Sequence, residues 1–295
     1  MAISKFPSTV VLPSIQKPYP TLLEFLEKRF PNISKRIWLE RLQNDKIMDS
    51  EGVPVTQKTL YVTGMTLRYY REVEKETVVP FNETILFAND EYIIADKPHF
   101  LPVTPSGPYV NECLLNRLKS STGNTELTPV NRIDMDTAGL VMISCNPETR
   151  GLYHDLFMKK QIKKVYYAVT ACESAPLESA WTIKNRILKG APWFRMEIGE
   201  GQSNSHTEIT LIKHTMSKAL FKLSPVTGRK HQLRLHLSSM GYGIINDRLY
   251  PVVHEKKPPD FQHPMQLLAK KLQFIDPVTG NEKIFTSRQN LSESW

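Results

Sequence analysis

Asn131-Arg132-Ile133-Asp134-Met135-Asp136-Thr137-Ala138-Gly139 is a polar, charged stretch that runs without a break into the apolar Leu140-Val141-Met142-Ile143-Ser144-Cys145. The apolar run predicts a buried strand, and a loop delivered by a rigid strand is a common seat for catalytic groups. Asp134 and Asp136 stand at i and i+2, so in an extended segment they share a face with their Cα atoms roughly 6.5 to 7 Å apart. That spacing permits an acid/base pair of the glycosidase kind. It equally permits a structural turn in which Asp136 and Thr137 cap while Asp134 pairs with Arg132.

Outward from this stretch the strand pattern continues. Residues 85–98, ILFANDEYIIADKP, read as two short apolar strands around an Asn89-Asp90 turn, closed by Lys97-Pro98. Asn146-Pro147-Glu148 predicts a helix start, with Leu152/Leu156 and Tyr153/Phe157 as i,i+4 pairs and Lys159 and Lys160 in the last turn. Strands are expected again at 165–170, 219–226, 267–275 and 283–285. Strands alternating with helices predict a mixed catalytic domain over 81–295.

Residues 1–80 have a different texture. Prolines at 7, 13, 18 and 20 predict an extended arm over 1–19. Thr21 caps a first helix, TLLEFLEKRF, with Glu24 at the capping-box position. Asn32 and Ser34 precede a second amphipathic helix, KRIWLERLQND, bearing Ile37, Trp38, Arg41 and Leu42. Short strand pieces are expected at 46–48 and 60–62. The charged run Glu72-Val73-Glu74-Lys75-Glu76 suggests a linker and a boundary near residue 80.

With 295 residues, 40% hydrophobic and 23% charged, the chain falls in the globular range, neither fibrous nor disordered. Its 38 lysines and arginines exceed 30 acids, giving net +8, which favours polyanionic partners, nucleic acid first. Cys113, Cys145 and Cys172 are far apart in sequence and odd in number, which argues against a disulfide framework or a zinc site. No apolar run reaches the roughly 18 residues of a membrane span, and residues 1–20 lack the apolar core of a signal peptide. A cytoplasmic protein without membrane attachment is expected.

Two further segments carry chemistry. In Lys164-Val165-Tyr166-Tyr167-Ala168, strand alternation puts Lys164, Tyr166 and Ala168 on one face, a phenol between a cation and a small residue that can receive a flat ring. The alternative is an exposed lysine beside a core tyrosine. Thr227-Gly228-Arg229-Lys230-His231-Gln232-Leu233-Arg234-Leu235-His236-Leu237 fits either a helix stopping at Gly241 or an alternating strand. As a helix it places His231, Arg234 and Ser238 on one face. No third metal ligand accompanies its histidines, and the phosphate-loop spacing is absent.

In order along the chain, Lys97-Pro98 with Leu101-Pro102-Val103, Arg132-Ile133-Asp134 with Thr137 and Gly139, Lys164-x-Tyr166-x-Ala168, Gly228-Arg229-x-His231-Gln232-Leu233-Arg234, and Asn246-Asp247 with Tyr250 resemble the RluA-type pseudouridine synthase family. The resemblance spans roughly residues 85 to 280. Residues 20–75 are similar to the small ribosomal-type RNA-binding domain that many members carry, although Lys35 stands where that module usually has arginine and Asn44-Asp45 replaces its turn glycine.

The resemblance implies an α+β fold: a mixed, mostly antiparallel-sheet catalytic domain preceded by a small helical RNA-binding domain. It implies an isomerase that converts specific uridines of structured ribosomal or transfer RNA to pseudouridine, with no cofactor and no metal, acting as a monomer. The alternative is an RNA-binding protein of the same fold with little catalysis. Asp134 corresponds to the family's essential aspartate, Tyr166 to a residue that stacks on the uracil and helps remove the carbon 5 proton, and Arg234 to the partner of Asp134. Arg132 would fill the space left by the flipped uridine, with Lys164, Arg229 and His231 as further substrate contacts. Lys35, Arg36, Arg41, Lys159, Lys160 and Lys163 are candidate RNA contacts. Asp247 and Tyr250 would shape the wall of the site. Asn131, Ile133, Ala138 and Asn246 depart from the family's usual histidine, leucine, serine and glycine. At Asn246 a positive φ is expected, which asparagine tolerates.

Overall fold

The computed structural model describes residues 1–31, 33–172, 178–255 and 258–292; Asn32, expected before the second helix, lies outside the described residues. The chain divides into two compact units, Met1–Thr77 with Ser106–Asn111, and Val78–Pro105 with Glu112–Trp295.

The first unit contains β1 (Ala2–Ile3), β2 (Ser8–Val11), α1 (Leu22–Arg29), α2 (Lys35–Gln43), β3 (Ile47–Met48), β4 (Thr66–Tyr69) and β5 (Glu72–Val73). The Thr21 hydroxyl accepts from the Glu24 amide at 3.4 Å and donates to the Glu24 carboxylate at 3.2 Å, so the cap predicted from sequence starts α1. Leu22, Leu26, Trp38, Leu42 and Leu67 are buried in one core. The unit is mixed, with more strand than the small helical module with short strand pieces that was expected. The proline-broken arm supplies β1 and β2, which pair antiparallel with β5 and β4, and β3 completes a second small sheet. Residues 60–62 form no strand; Leu60 makes a single bridge to Thr21. Asp45 takes the left-handed turn position, φ 54°.

The second unit runs β6 (Thr84–Ala88), β7 (Tyr92–Lys97), α3 (Leu114–Thr122), β8 (Thr128–Pro129), β9 (Ala138–Ser144), α4 (Arg150–Met158), β10 (Lys163–Ala171), β11 (Ala180–Lys189), β12 (Met196–Gly199), β13 (Ser205–His214), β14 (Lys218–Pro225), α5 (Gln232–Ser239), β15 (Leu267–Ile275) and β16 (Glu282–Thr286). Among the described residues one sheet of eleven strands is ordered β12-β11-β13-β14-β10-β15-β9-β7-β6, with β16 beside β15 and β8 beside β9. Every pairing is antiparallel except β9 with β15, which run parallel at Ala138–Leu268 and Gly139–Ala269. The catalytic-sized unit is therefore a mixed, mostly antiparallel sheet with few helices.

Packing on this sheet positions the site. Leu233 and Leu237 of α5 join Ala168, Phe221, Leu223 and Leu267 in one buried cluster. Each leucine contributes about 1.5–3 kcal/mol of burial, which fixes the start of α5 beside β10. Tyr153 and Leu156 of α4 pack with Tyr92, Ile94, Leu140 and Phe274. The helix begins at Arg150, later than Asn146-Pro147-Glu148 predicts, because those residues form a turn: the Asn146 side chain accepts from the Glu148 amide and its carbonyl from the Arg150 amide. At the parallel crossing, Gly139 has φ +109° and a Cβ there would run into the Ala269 backbone. Only glycine fits.

Candidate active site

The loop between β8 and β9 is tied down on several sides. Lys97, fully buried at the end of β7, donates to the carbonyls of Pro98 at 2.9 Å and Met135 at 3.0 Å. His99 Nδ1 lies 2.6 Å from the Asp136 carbonyl, the Asn131 side chain accepts from the Met142 amide, and the Thr137 amide donates to the Asp134 carbonyl. Burial pushes the Lys97 amine down to about 7 against the pull of Asp136 and Asp134, and pushes the His99 ring down to about 4.

Across from this loop, α5 starts from His231, which holds the left-handed conformation at φ 54°. The Gln232 side chain ties the preceding turn together. Its carbonyl accepts from the Thr227 hydroxyl and the Arg229 amide, and its amide donates to the His206 carbonyl and the Thr207 hydroxyl. Arg234, 3% exposed, donates from Nε and Nη2 to the two carboxylate oxygens of Asp247, each at 2.7 Å, and from Nη1 to Asp134 Oδ2 at 2.9 Å. Asp247 also accepts from the Leu249 and Tyr250 amides. Asn246, just before it, has φ 64°, the positive value expected there.

A solvent-open cleft lies between these elements. It is lined by Asp134, Tyr166, Arg234, Arg132, Lys164, Arg229 and His231, so the residues expected to carry catalysis and substrate contact come together from three distant segments. Asp136, the second carboxylate of the possible acid/base pair, is not among its lining residues. Lys164 Nζ donates to the Thr227 carbonyl at 3.1 Å. His231 Nε2 is 3.9 Å from Asp134 Oδ2, and its Nδ1 is 3.0 Å from the Tyr250 hydroxyl.

The electrostatics separate the groups by role. Burial alone would raise the Asp134 carboxyl, but Arg234, with smaller contributions from His231 and Lys230, outweighs it and holds the carboxyl below its usual range. Burial, aided by the Asp134 charge, pushes the Tyr166 phenol well above its ordinary value, so it keeps its proton at neutral pH. Burial lowers Lys164 to about 8 and His231 to about 4. Asp136 is raised by burial. The cleft thus offers one permanent carboxylate beside a neutral aromatic ring, with cations on its rim. Among the described residues no group of three or more His, Cys, Asp and Glu is placed to hold a metal ion, and no helix is long and apolar enough to cross a membrane.

The expected RNA contacts are divided. Lys159, Lys160 and Lys163 are exposed where α4 passes into β10, the strand of Lys164 and Tyr166, with Lys159 paired to Asp155 at 2.6 Å. Lys35, 3.7 Å from Glu27, and Arg36 are exposed on α2. Arg41 turns inward: its side chain is 15% exposed, 4.0 Å from Glu72 and stacked over the Trp38 ring, so packing takes it from the surface. Sequence reasoning missed Asp247 as the anchor of Arg234 and Gln232 as the tie of the Thr227–Arg229 turn. The only signal for either was its place in an ordered motif.

In this sheet-borne cleft the buried Arg234, anchored by Asp247, holds the Asp134 carboxylate, and the protonated Tyr166 phenol lines the same cleft. The family model described as RNA pseudouridylate synthase matches residues 91–239, which is 149 of the 295 residues. The chain belongs to the RNA pseudouridylate synthase family, whose members are isomerases. It is 30% identical over 217 residues to an uncharacterised RNA pseudouridine synthase of Helicobacter pylori, covering 72% of this chain and 70% of that one. It is 27% identical over 242 residues to the ribosomal large subunit pseudouridine synthase C of Rickettsia typhi, covering 80% and 76%. The fold is similar to that of human RNA pseudouridylate synthase domain containing 1, with a TM-score of 0.57 at 21% identity over 75% of this chain and 94% of that one.

Proposed function

We propose that this RNA pseudouridine synthase acts on a structured RNA, ribosomal or transfer, with Asp134 as its nucleophile. The reaction breaks the bond from ribose carbon 1′ to uracil nitrogen 1 and re-forms it to carbon 5. Carbon 5 gives up a proton, nitrogen 1 gains one, and nothing is oxidised or reduced. Such a reaction needs a nucleophile in fixed orientation, a wall for the uracil and a way to reach a base inside RNA.

The observation that carries this reading is the Asp134 carboxylate, kept ionised and oriented by Arg234 within the cleft. Tyr166 stacks on the uracil; because it stays protonated, stacking suits it better than service as a base. Arg132 fills the gap left by the flipped nucleotide, and Lys164, Arg229 and His231 contact the substrate. Lys35, Arg36, Lys159, Lys160 and Lys163 attract the RNA backbone. The first unit serves as an RNA-docking module, and the enzyme works as a monomer in the cytoplasm.

A binding protein without catalysis does not demand Asp134, Tyr166 and Arg234 together. A glycoside hydrolase needs Asp136 as a second carboxylate and would release free base. The test is conversion of uridine in RNA from cells lacking the protein: the purified enzyme forms pseudouridine in RNA of unchanged length, and Asp134→Asn or Asp134→Ala abolishes conversion while RNA binding persists. An aspartate variant as active as the parent contradicts the assignment. Binding should weaken with salt at a log–log slope of roughly −0.7 to −0.9 per phosphate contacted.

A further inference from the structure

The hairpin between β11 and β12 carries Ala191-Pro192-Trp193-Phe194 at its tip. Trp193 is 80% exposed, against 40% for Tyr70 and 37% for Phe81, the other exposed aromatics among the described residues. Single exposed apolar side chains are ordinary on protein surfaces. This one is set apart by what holds the tip. Lys230 Nζ donates to the Phe194 carbonyl at 3.1 Å, Arg195 donates to the Pro251 carbonyl at 3.0 Å, and the Met196 amide donates to the Tyr250 hydroxyl at 2.7 Å. The Arg195 guanidinium also lies 4.8 Å over the Tyr250 ring. The Tyr250 hydroxyl in turn meets His231, which lines the cleft. Phe194 backs the indole edge-to-face at 5.8 Å.

Trp193 is therefore an exposed flat surface on a hairpin tip that Lys230 and Tyr250 tie to the His231 side of the cleft. Exposed cations flank it: Lys189 in the hairpin, with Lys230 and Arg229 on the turn that contacts it, against Glu197 on β12. An exposed ring on a tethered hairpin next to cations suits an unstacked base on a phosphate chain, and the tethering of the hairpin reduces the backbone ordering lost on binding. A protein partner fits less well, since a stable interface covers roughly 800 Å² on each side and one indole supplies only a fraction of that.

We propose that Trp193 is a stacking platform for an unpaired nucleotide flanking the uridine that enters the cleft. The proposal rests on the pseudouridine synthase reading of the cleft and adds a substrate class to it: RNA whose target uridine lies in a loop, with a neighbour free to leave the stack.

The test uses the full chain, a short synthetic stem-loop RNA with uridines in its loop, and the same strand annealed to its complement. The parent binds the stem-loop more tightly than the duplex, and the stem-loop quenches its tryptophan emission. Trp193→Ala weakens stem-loop binding roughly 5- to 100-fold and leaves duplex binding unchanged, whereas Trp193→Phe restores most of the affinity and loses the quenching. With RNA from cells lacking the protein, Trp193→Ala raises KM and leaves kcat intact. Equal stem-loop binding by Trp193→Ala and parent overturns the proposal. So does a Trp193-dependent dimer in sedimentation with RNA affinity unchanged. Failure of the cleft reading registers separately, as undiminished pseudouridine formation by Asp134→Asn whatever Trp193 does.

Discussion

Asp247 grips Arg234 with both carboxylate oxygens, at 2.7 Å from Nε and 2.7 Å from Nη2, and leaves Nη1 alone to meet Asp134 at 2.9 Å. The arginine cannot rotate away from Asp134 without breaking a buried, two-pronged pair. Orientation of Asp134 is thereby set by a residue that does not touch its carboxylate.

Asp247→Asn should therefore damage both stability and turnover. Arg234 is 3% exposed and the Asp247 side chain fully buried, so removing one charge leaves the guanidinium poorly matched, at about 3–5 kcal/mol. In variant protein that still folds, kcat should fall at least about tenfold as Asp134 loses its fixed orientation. Denaturant titration and single-turnover kinetics measure the two effects. A folded variant with parental kcat would show that the grip does not orient the site.

Lys164 should give the enzyme a basic limb. Burial lowers it to about 8, so its charge is present below that pH and disappears above it. KM for RNA should rise about tenfold as pH passes upward through 8, and Lys164→Arg, charged throughout, should flatten the profile. On the acid side, with Asp134 below the usual carboxylate range and His231 near 4, kcat should be level from about pH 5 to about pH 7.

Lys97 should make the fold more stable in mild alkali. Its amine titrates near 7 in the folded protein and at 10.5 in the unfolded chain, so between those values the unfolded state binds more protons and stability rises with pH. Relative to Lys97→Met, the parent should gain about 2–3 kcal/mol between about pH 6 and about pH 9. Chemical denaturation of both proteins at the two pH values measures it. A constant difference would mean that Lys97 is not a buried titrating amine.

Gly139→Ala should disrupt the parallel crossing of β9 and β15. The added methyl meets the Ala269 backbone and φ is +109°, so a loss of about 3 kcal/mol or more is expected in the midpoint of unfolding. Parental stability in this variant would mean that the crossing is not close.

Seven strands of the large sheet were legible in the sequence because they carry period-two or unbroken apolar patterns, whereas β8, β11, β12 and β13 were not expected. The Lys164/Tyr166 face was legible too, and both side chains line the cleft although the β10–β15 pairing shifts between Val165 and Tyr166. The helical state of α5 was not, since Gln232 through Leu237 are all buried and no polar face marks the period. The start of α4 was placed too early because asparagine, proline and acid signal a turn as well as a cap. The N-terminal strands were hidden by prolines, which forbid helix but leave edge pairing open. Within the site, the Asp134–Arg234 pair came only from ordered motifs, because a contact between residues a hundred positions apart leaves no local pattern. The anchoring by Asp247 depends on the left-handed turn at Asn246, and the inward turn of Arg41 on the Trp38 ring beneath it.

The role of Asp134 is tested most directly by mapping pseudouridine at single-nucleotide resolution across the stable RNAs of cells lacking the protein, with and without a restored gene. At least one position should lose pseudouridine in the deletion and regain it with the parent. Asp134→Asn, accumulating to the same level, should leave that position as uridine. Restoration of the modification by Asp134→Asn would contradict the account.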